Sequence, residues 1–76
     1  MKDLLETIAR ALADRPDDVS VTEAEVDNSL VLELRVAQED MGKVIGKQGK
    51  IAKAIRTLIK AAAVKENKHV VVEIVQ

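Results

Sequence analysis

The chain of 76 residues has no cysteine, phenylalanine, tyrosine or tryptophan, and it has one proline and three glycines. Without cysteine there are neither disulfides nor thiolate metal ligands. Without aromatic rings there is no platform on which bases stack. Long apolar runs are missing too: the longest, residues 61–64, is far too short to cross a membrane. Acids at Asp3 and Glu6 stand where a signal peptide carries its apolar stretch. These absences give the expectation of a cytoplasmic protein with no membrane association. The length suits one domain, 1–76, and a chain this short buries only about 60% of its unfolded surface, so its core is small.

Acidic residues are also missing from one long stretch. Residues 41–65 hold Lys43, Lys47, Lys50, Lys53, Arg56, Lys60 and Lys65 and no Asp or Glu. The remainder has five basic and thirteen acidic residues, so a net charge of −1 divides into +7 and −8. The overall charge therefore says little about partners, and the folded chain is expected to carry one basic face.

Residues 3–14 place Leu4, Leu5, Ile8, Ala11 and Leu12 at helical spacing, with Asp3 and Glu6 in capping-box positions and Pro16 beyond the end. Residues 19–26 and 30–36 read as strands around a turn at Asp27, Asn28 and Ser29. The second strand alternates cleanly, with Leu30, Leu32, Leu34 and Val36 opposite Val31, Glu33 and Arg35. In the first, Val19 and Val21 share one phase and Ala24 and Val26 the other, which predicts a bulge or a slip. Residues 39–45 predict a short helix with acids at its start and Met41, Val44 and Ile45 inward. Residues 50–65 predict a second strong helix. Ile51, Ile55, Leu58, Ile59 and Ala62 fall in one sector of its wheel, and Lys50, Lys53, Arg56 and Lys60 fall opposite. A turn at Glu66, Asn67 and Lys68 leads to a Val-rich strand over residues 69–75. This order predicts an antiparallel hairpin, a helical crossover and a third strand parallel to the second. The fold class is an α+β two-layer sandwich: a three-stranded mixed sheet with helices on one face.

Gly46 and Gly49 bracket Lys47 and Gln48 directly before the basic helix. Glycines admit a positive φ and let a ligand touch the backbone. The helix behind them offers unpaired N–H groups and the positive end of its dipole, while Lys47 and Lys50 add full charges. Together these suit a passing sugar-phosphate backbone. A P-loop is excluded, because no Gly-Lys pair here precedes Ser or Thr. The dinucleotide fingerprint needs a third glycine that is absent. Two glycines alone would merely end one helix and start another, so the flanking residues matter.

Those residues run Val44-Ile45-Gly46-Lys47-Gln48-Gly49-Lys50-Ile51-Ala52-Lys53-Ala54-Ile55. The run resembles the KH-domain signature, Val/Ile-Ile-Gly-x-x-Gly-x-x-Ile-x-x-Ile. The order of elements, α-β-β-α-α-β, is similar to the type II arrangement, and a free-standing domain of this size resembles the small bacterial RNA-binding KH proteins of the KhpA type. The resemblance implies that Gly46, Lys47, Gln48 and Gly49 clamp the backbone of single-stranded RNA. It implies that Ile45, Ile51 and Ile55 support the loop and border an aliphatic groove. Arg35 and the second strand would lie on the far side of that groove, and residues 65–68 would form the variable loop. Lys43, Lys50, Lys53 and Arg56 are the adjoining basic candidates, with Lys60 and Lys65 read as solubilising. An aliphatic groove needs no aromatic ring, which favours KH among RNA-binding folds and implies modest affinity.

No catalysis, cofactor or metal is expected. His69 has no second ligand at metal spacing. The pairs Asp17-Asp18 and Glu39-Asp40 suit a loop and a helix start. The functional expectation is an RNA chaperone or post-transcriptional regulator. The alternative is an assembly subunit that forms a homodimer, or a heterodimer with another KH-type RNA-binding protein. Val71 and Val75, on the face of the third strand away from the helices, motivate that alternative, as does an edge strand able to recruit a partner.

Overall fold

Leu30, Leu32 and Leu34 alternate with Val31, Glu33 and Arg35, and this alternation sets the inner and outer faces of the sheet. The computed structural model describes residues 1–75. In chain order it contains α1 (Lys2–Leu12), β1 (Ser20–Val26), β2 (Ser29–Arg35), α2 (Met41–Ile45), α3 (Lys50–Lys65) and β3 (His69–Val75). Single 3₁₀ turns occupy Pro16–Asp18, Gln38–Asp40 and Lys47–Gly49. The sheet order is β1-β2-β3, with β2 antiparallel to β1 and parallel to β3. This is the mixed sheet expected, and β3 has the expected bounds.

The register places Leu34 beside Val21 and Ile74, and Leu32 beside Val72. Leu5 and Ala9 of α1 and Ile55, Ile59 and Ala63 of α3 close over Val21, Leu32, Leu34, Val70 and Val72 in one core. All these sheet residues share the inner face, so the helices cover that face alone. Met41 and Val44 bury the inner side of α2. No helix among the described residues is long and apolar enough to cross a membrane.

Three local expectations are corrected. First, α1 starts at Lys2 with Met1 as its N-cap, so Asp3 lies inside the first turn and caps nothing. The earlier start lets Met1 pack against the core. Second, β1 has no bulge: its pairing with β2 runs unbroken from Ser20↔Arg35 to Val26↔Ser29. The apparent change of phase reflects incomplete cover. Glu23 and Glu25 share a face with Val21 but are exposed, so the helical layer stops short of that end. The turn is left to Asp27 and Asn28, with Asp27 at φ 56°. Third, Leu58 is 56% exposed, and the buried line of α3 runs through Ala52, Ile55, Ile59 and Ala63 instead.

The outer face is mixed. Ala24, Val31 and Val71 stand in one row across it, and Thr22, Glu33 and Glu73 in the next. Val71 and Val75, on the face away from the helices, are half-buried beside Val31 and Arg35 in register.

Leu32 is fully buried in the central strand, whereas Val26 is 56% exposed at the hairpin end. Leu32→Ala is therefore expected to cost about 3 kcal/mol through lost burial and a residual cavity. Val26→Ala should cost roughly 0.5 kcal/mol or less. Urea unfolding of both variants checks this; similar losses would contradict the placement of the core.

Candidate nucleic-acid interface

Helix α2 ends at Gly46, which takes φ 77° and ψ 173°, a conformation open almost solely to glycine. Its N–H donates to the Gly42 carbonyl at 2.9 Å. A β-carbon on Gly46 would lie 2.5 Å from Cγ1 of Ile51. Gly46 is thus required twice, by its dihedrals and by the side chain beneath it. Ile51 in turn packs against the core, so the end of α2, the loop and the first turn of α3 are held together.

Past Gly46 the chain makes a single tight turn. The Gly49 N–H donates to the Gly46 carbonyl at 3.1 Å. Gln48 and Gly49 both take left-handed conformations, at φ 59° and 74°. Nothing lies within 4 Å of where a Gly49 β-carbon would stand, so the backbone there is open to an approaching group. The left-handed Gln48 is not legible in the sequence, because glutamine has no special tolerance for it. Such a residue stores about 1–2 kcal/mol of strain, and strain of this kind collects at ligand clamps.

Gly49 is the N-cap of α3, and no side chain caps that helix. The Lys50 N–H donates to the Lys47 carbonyl, the amides that follow it in the first turn have no intrahelical acceptor, and the positive end of the helix dipole points at the loop. Lys47, Gln48, Lys50 and Lys53 are all exposed. Lys50 and Lys53 line a shallow depression together with Ala54, Thr57 and Leu58. The structure therefore brings Gly46, Lys47, Gln48, Gly49, Lys50 and Lys53 onto one continuous surface, with the half-buried Ile45 at its margin.

Other candidates are placed differently. The Nε of Arg56 donates to the Val72 carbonyl at 3.3 Å, which turns this side chain toward β3. Lys43 is ion-paired with Asp14 and lies 4.0 Å from Asp40. The hydrogen bond to Asp14 is the main reason its ammonium is held above the ordinary lysine range. Ile55 is 2% exposed and belongs to the core, so it offers no surface to a base. Strand β2 lies in the centre of the sheet. The strand that flanks the far side of α3 is β3, and Arg35 is in phase with the outer face.

Asp40 is a finding that the sequence did not offer. A carboxylate at a helix start reads as an exposed charge, yet Asp40 is fully buried. It accepts the backbone N–H of Arg15 at 2.9 Å and that of Asp14 at 3.1 Å. The bond from Arg15 is the largest influence holding its carboxyl below the ordinary 3.8; burial opposes it, and the Asp14 amide and Lys43 add to it. Among the described residues no cluster of three metal-ligating side chains occurs.

Known proteins resemble this chain in sequence and in fold. Residues 2–74 match the family model described as KhpA/KhpB, KH domain. The RNA-binding protein KhpA of Clostridium acetobutylicum is 72% identical over 99% of this chain and 100% of its own length. Its counterpart in Clostridium perfringens is 65% identical with the same coverage. That of Aquifex aeolicus is 49% identical over 100% of this chain and 96% of its own length. Among solved structures, Aquifex aeolicus Era bound to GDP and aluminium fluoride superposes with a TM-score of 0.60 at 23% identity. Era in complex with 16S ribosomal RNA nucleotides superposes with a TM-score of 0.61. Both cover 96% of this chain and 28% of the Era chain, and they show the fold alone.

Two predictions follow from this geometry. Gly46→Ala must enter a glycine-only region and displace Ile51, so it is expected to cost about 3 kcal/mol or more. Gly49→Ala meets only the left-handed backbone and should cost about 1–2 kcal/mol. Thermal unfolding of the pair checks the order, and equal losses would contradict the contact with Ile51. Because the Asp40 carboxyl is held low, its charge adds stability above the ordinary value of 3.8, and that stability is lost as pH falls through the lower folded value. Urea titrations should show Asp40→Asn less stable than wild type at neutral pH and the gap closing below pH 3.8. A gap independent of pH would contradict this.

Proposed function

The chain belongs to the KhpA/KhpB family of KH domains, and we propose that it binds single-stranded RNA without catalysis, as a single domain spanning residues 1–76. In KH domains a Gly-x-x-Gly loop clamps the backbone of about four nucleotides. The observation that carries the reading is the exposed, left-handed 46–49 turn against the uncapped start of α3, inside 25 residues without an acid. Gly49, with open space where a β-carbon would stand, lets the sugar-phosphate backbone approach, Gly46 sets the turn that presents it, and Lys47, Lys50 and Lys53 supply charge. Gln48 presents amide donors from the tip, and Ile45 borders an aliphatic groove for the bases. Lys43 and Arg56 serve at the margins, since each already has a partner within the chain. The biological role is that of an RNA chaperone or post-transcriptional regulator in the cytoplasm. With no aromatic residue to stack on bases, affinity is modest.

A second, compatible reading is assembly with another copy or with another KH-type RNA-binding protein. It is supported by Leu58 and Val64, which are 56% and 72% exposed on α3.

Replacing Lys47 and Gln48 together with Asp puts two negative charges where phosphates would pass. The variant should keep the wild-type circular dichroism spectrum and bind single-stranded RNA roughly a hundredfold more weakly. Wild-type affinity in the variant would refute the clamp. For wild type, about three or four phosphate contacts imply a log–log salt slope of roughly −2 to −3. For the assembly reading, sedimentation equilibrium should show wild type self-associating and Leu58→Glu with Val64→Glu monomeric. A strict monomer that also captures no KH-type partner would count against it.

A further inference from the structure

Asp40 is buried and charged, yet it takes no part in the exposed loop surface. Its two carboxylate oxygens hold the backbone N–H groups of Asp14 and Arg15, which lie just past the end of α1. Lys43 of α2 approaches one oxygen at 4.0 Å and is ion-paired with the Asp14 carboxylate. The Arg15 guanidinium bridges Glu39 and Asp18, each at 3.2 Å. These groups form one knot between the segment after α1 and the start of α2.

Helix α2 has five residues and no side-chain cap, a length at which a helix does not persist alone. Its pose depends on what holds it from outside. Met41 and Val44 anchor one side, and Asp40 anchors its first residue. The path from there to the loop is stiff. The Gly46 N–H is bonded to Gly42, the Gly49 N–H to Gly46, and Gly46 rests on Ile51.

We infer that Asp40 is a positioning residue for the 46–49 loop: by fixing the segment after α1 to the start of α2, it sets the loop's pose toward RNA without touching RNA. This rests on the reading of the loop as the RNA-binding surface. It also implies that Asp14 and Arg15, about thirty residues upstream of the loop in sequence, influence affinity through α2.

The test uses Asp40→Asn, which keeps the side-chain shape but turns one acceptor into a donor facing a backbone N–H. Two readouts are compared at a temperature where both proteins are fully folded. Amide hydrogen exchange is expected to quicken at Gly46 and Gly49 roughly tenfold beyond any increase at Leu32 and Leu34 of β2, whose rates report the variant's loss of global stability. A merely structural role would instead raise exchange at all four sites by one common factor. Affinity for fluorescein-labelled oligouridylate should fall roughly tenfold. Asp14→Asn keeps both backbone bonds to Asp40 and removes only the Lys43 pair. It should move both readouts the same way by less, and it carries the test if Asp40→Asn does not fold. Unchanged exchange at Gly46 and Gly49 overturns the inference, as does a loosened loop with wild-type affinity. If wild type itself does not bind the oligouridylate, the RNA reading falls, while quickened exchange at Gly46 and Gly49 still establishes Asp40 as the anchor of the loop.

Discussion

The backbone of Gly46 rests on the side chain of Ile51 more closely than any residue with a β-carbon could. That contact fixes where α2 ends and how α3 begins. Ile51 is seated against the core formed by both long helices and the sheet, so the loop inherits its stiffness from the most buried part of the molecule. The tight turn then follows, with Gly49 and the strained Gln48 both left-handed. A loop held in this way meets a ligand without first paying to order itself.

Charge is arranged with the same economy of position. The acid-free stretch 41–65 is bounded on its N-terminal side by Glu39, which pairs with Arg15 on the surface, and by Asp40, which faces inward to the backbone of the α1–β1 segment. They neutralise Arg15 and draw Lys43 toward the knot. Lys47, Lys50 and Lys53 have no such neighbours in the chain sequence, and they stand exposed beside the loop. The near-neutral total therefore coexists with a basic surface, because all thirteen acids lie outside residues 41–65.

Features carried by strict periodicity were legible in the sequence. The clean alternation of β2 foretold its buried leucines, and the Val-rich β3 was bounded correctly. The two glycines and the isoleucines around them identified the family. Features set by tertiary context were not legible. The phase change in β1 reflected a helical layer that ends too soon. Leu58 fell in the apolar sector of an ideal wheel, yet the packed line of α3 is rotated away from it, through Ala52, Ile55, Ile59 and Ala63. Asp40 looked like a surface acid because its donors are backbone N–H groups about 25 residues away, which leave no pattern in side chains. Gln48 gave no signal, since nothing in its side chain announces a left-handed backbone.

The central claim is that RNA meets this protein at the 46–49 turn and the first turns of α3. A nitrogen-15 NMR titration with a short single-stranded RNA tests it most directly. The largest amide shifts are expected at Gly46, Lys47, Gln48, Gly49, Lys50 and Lys53, with Glu23, Glu25 and Asp27 of the acidic hairpin unmoved. Shifts centred on the outer sheet face around Val31 and Val71, with a silent loop, would contradict it.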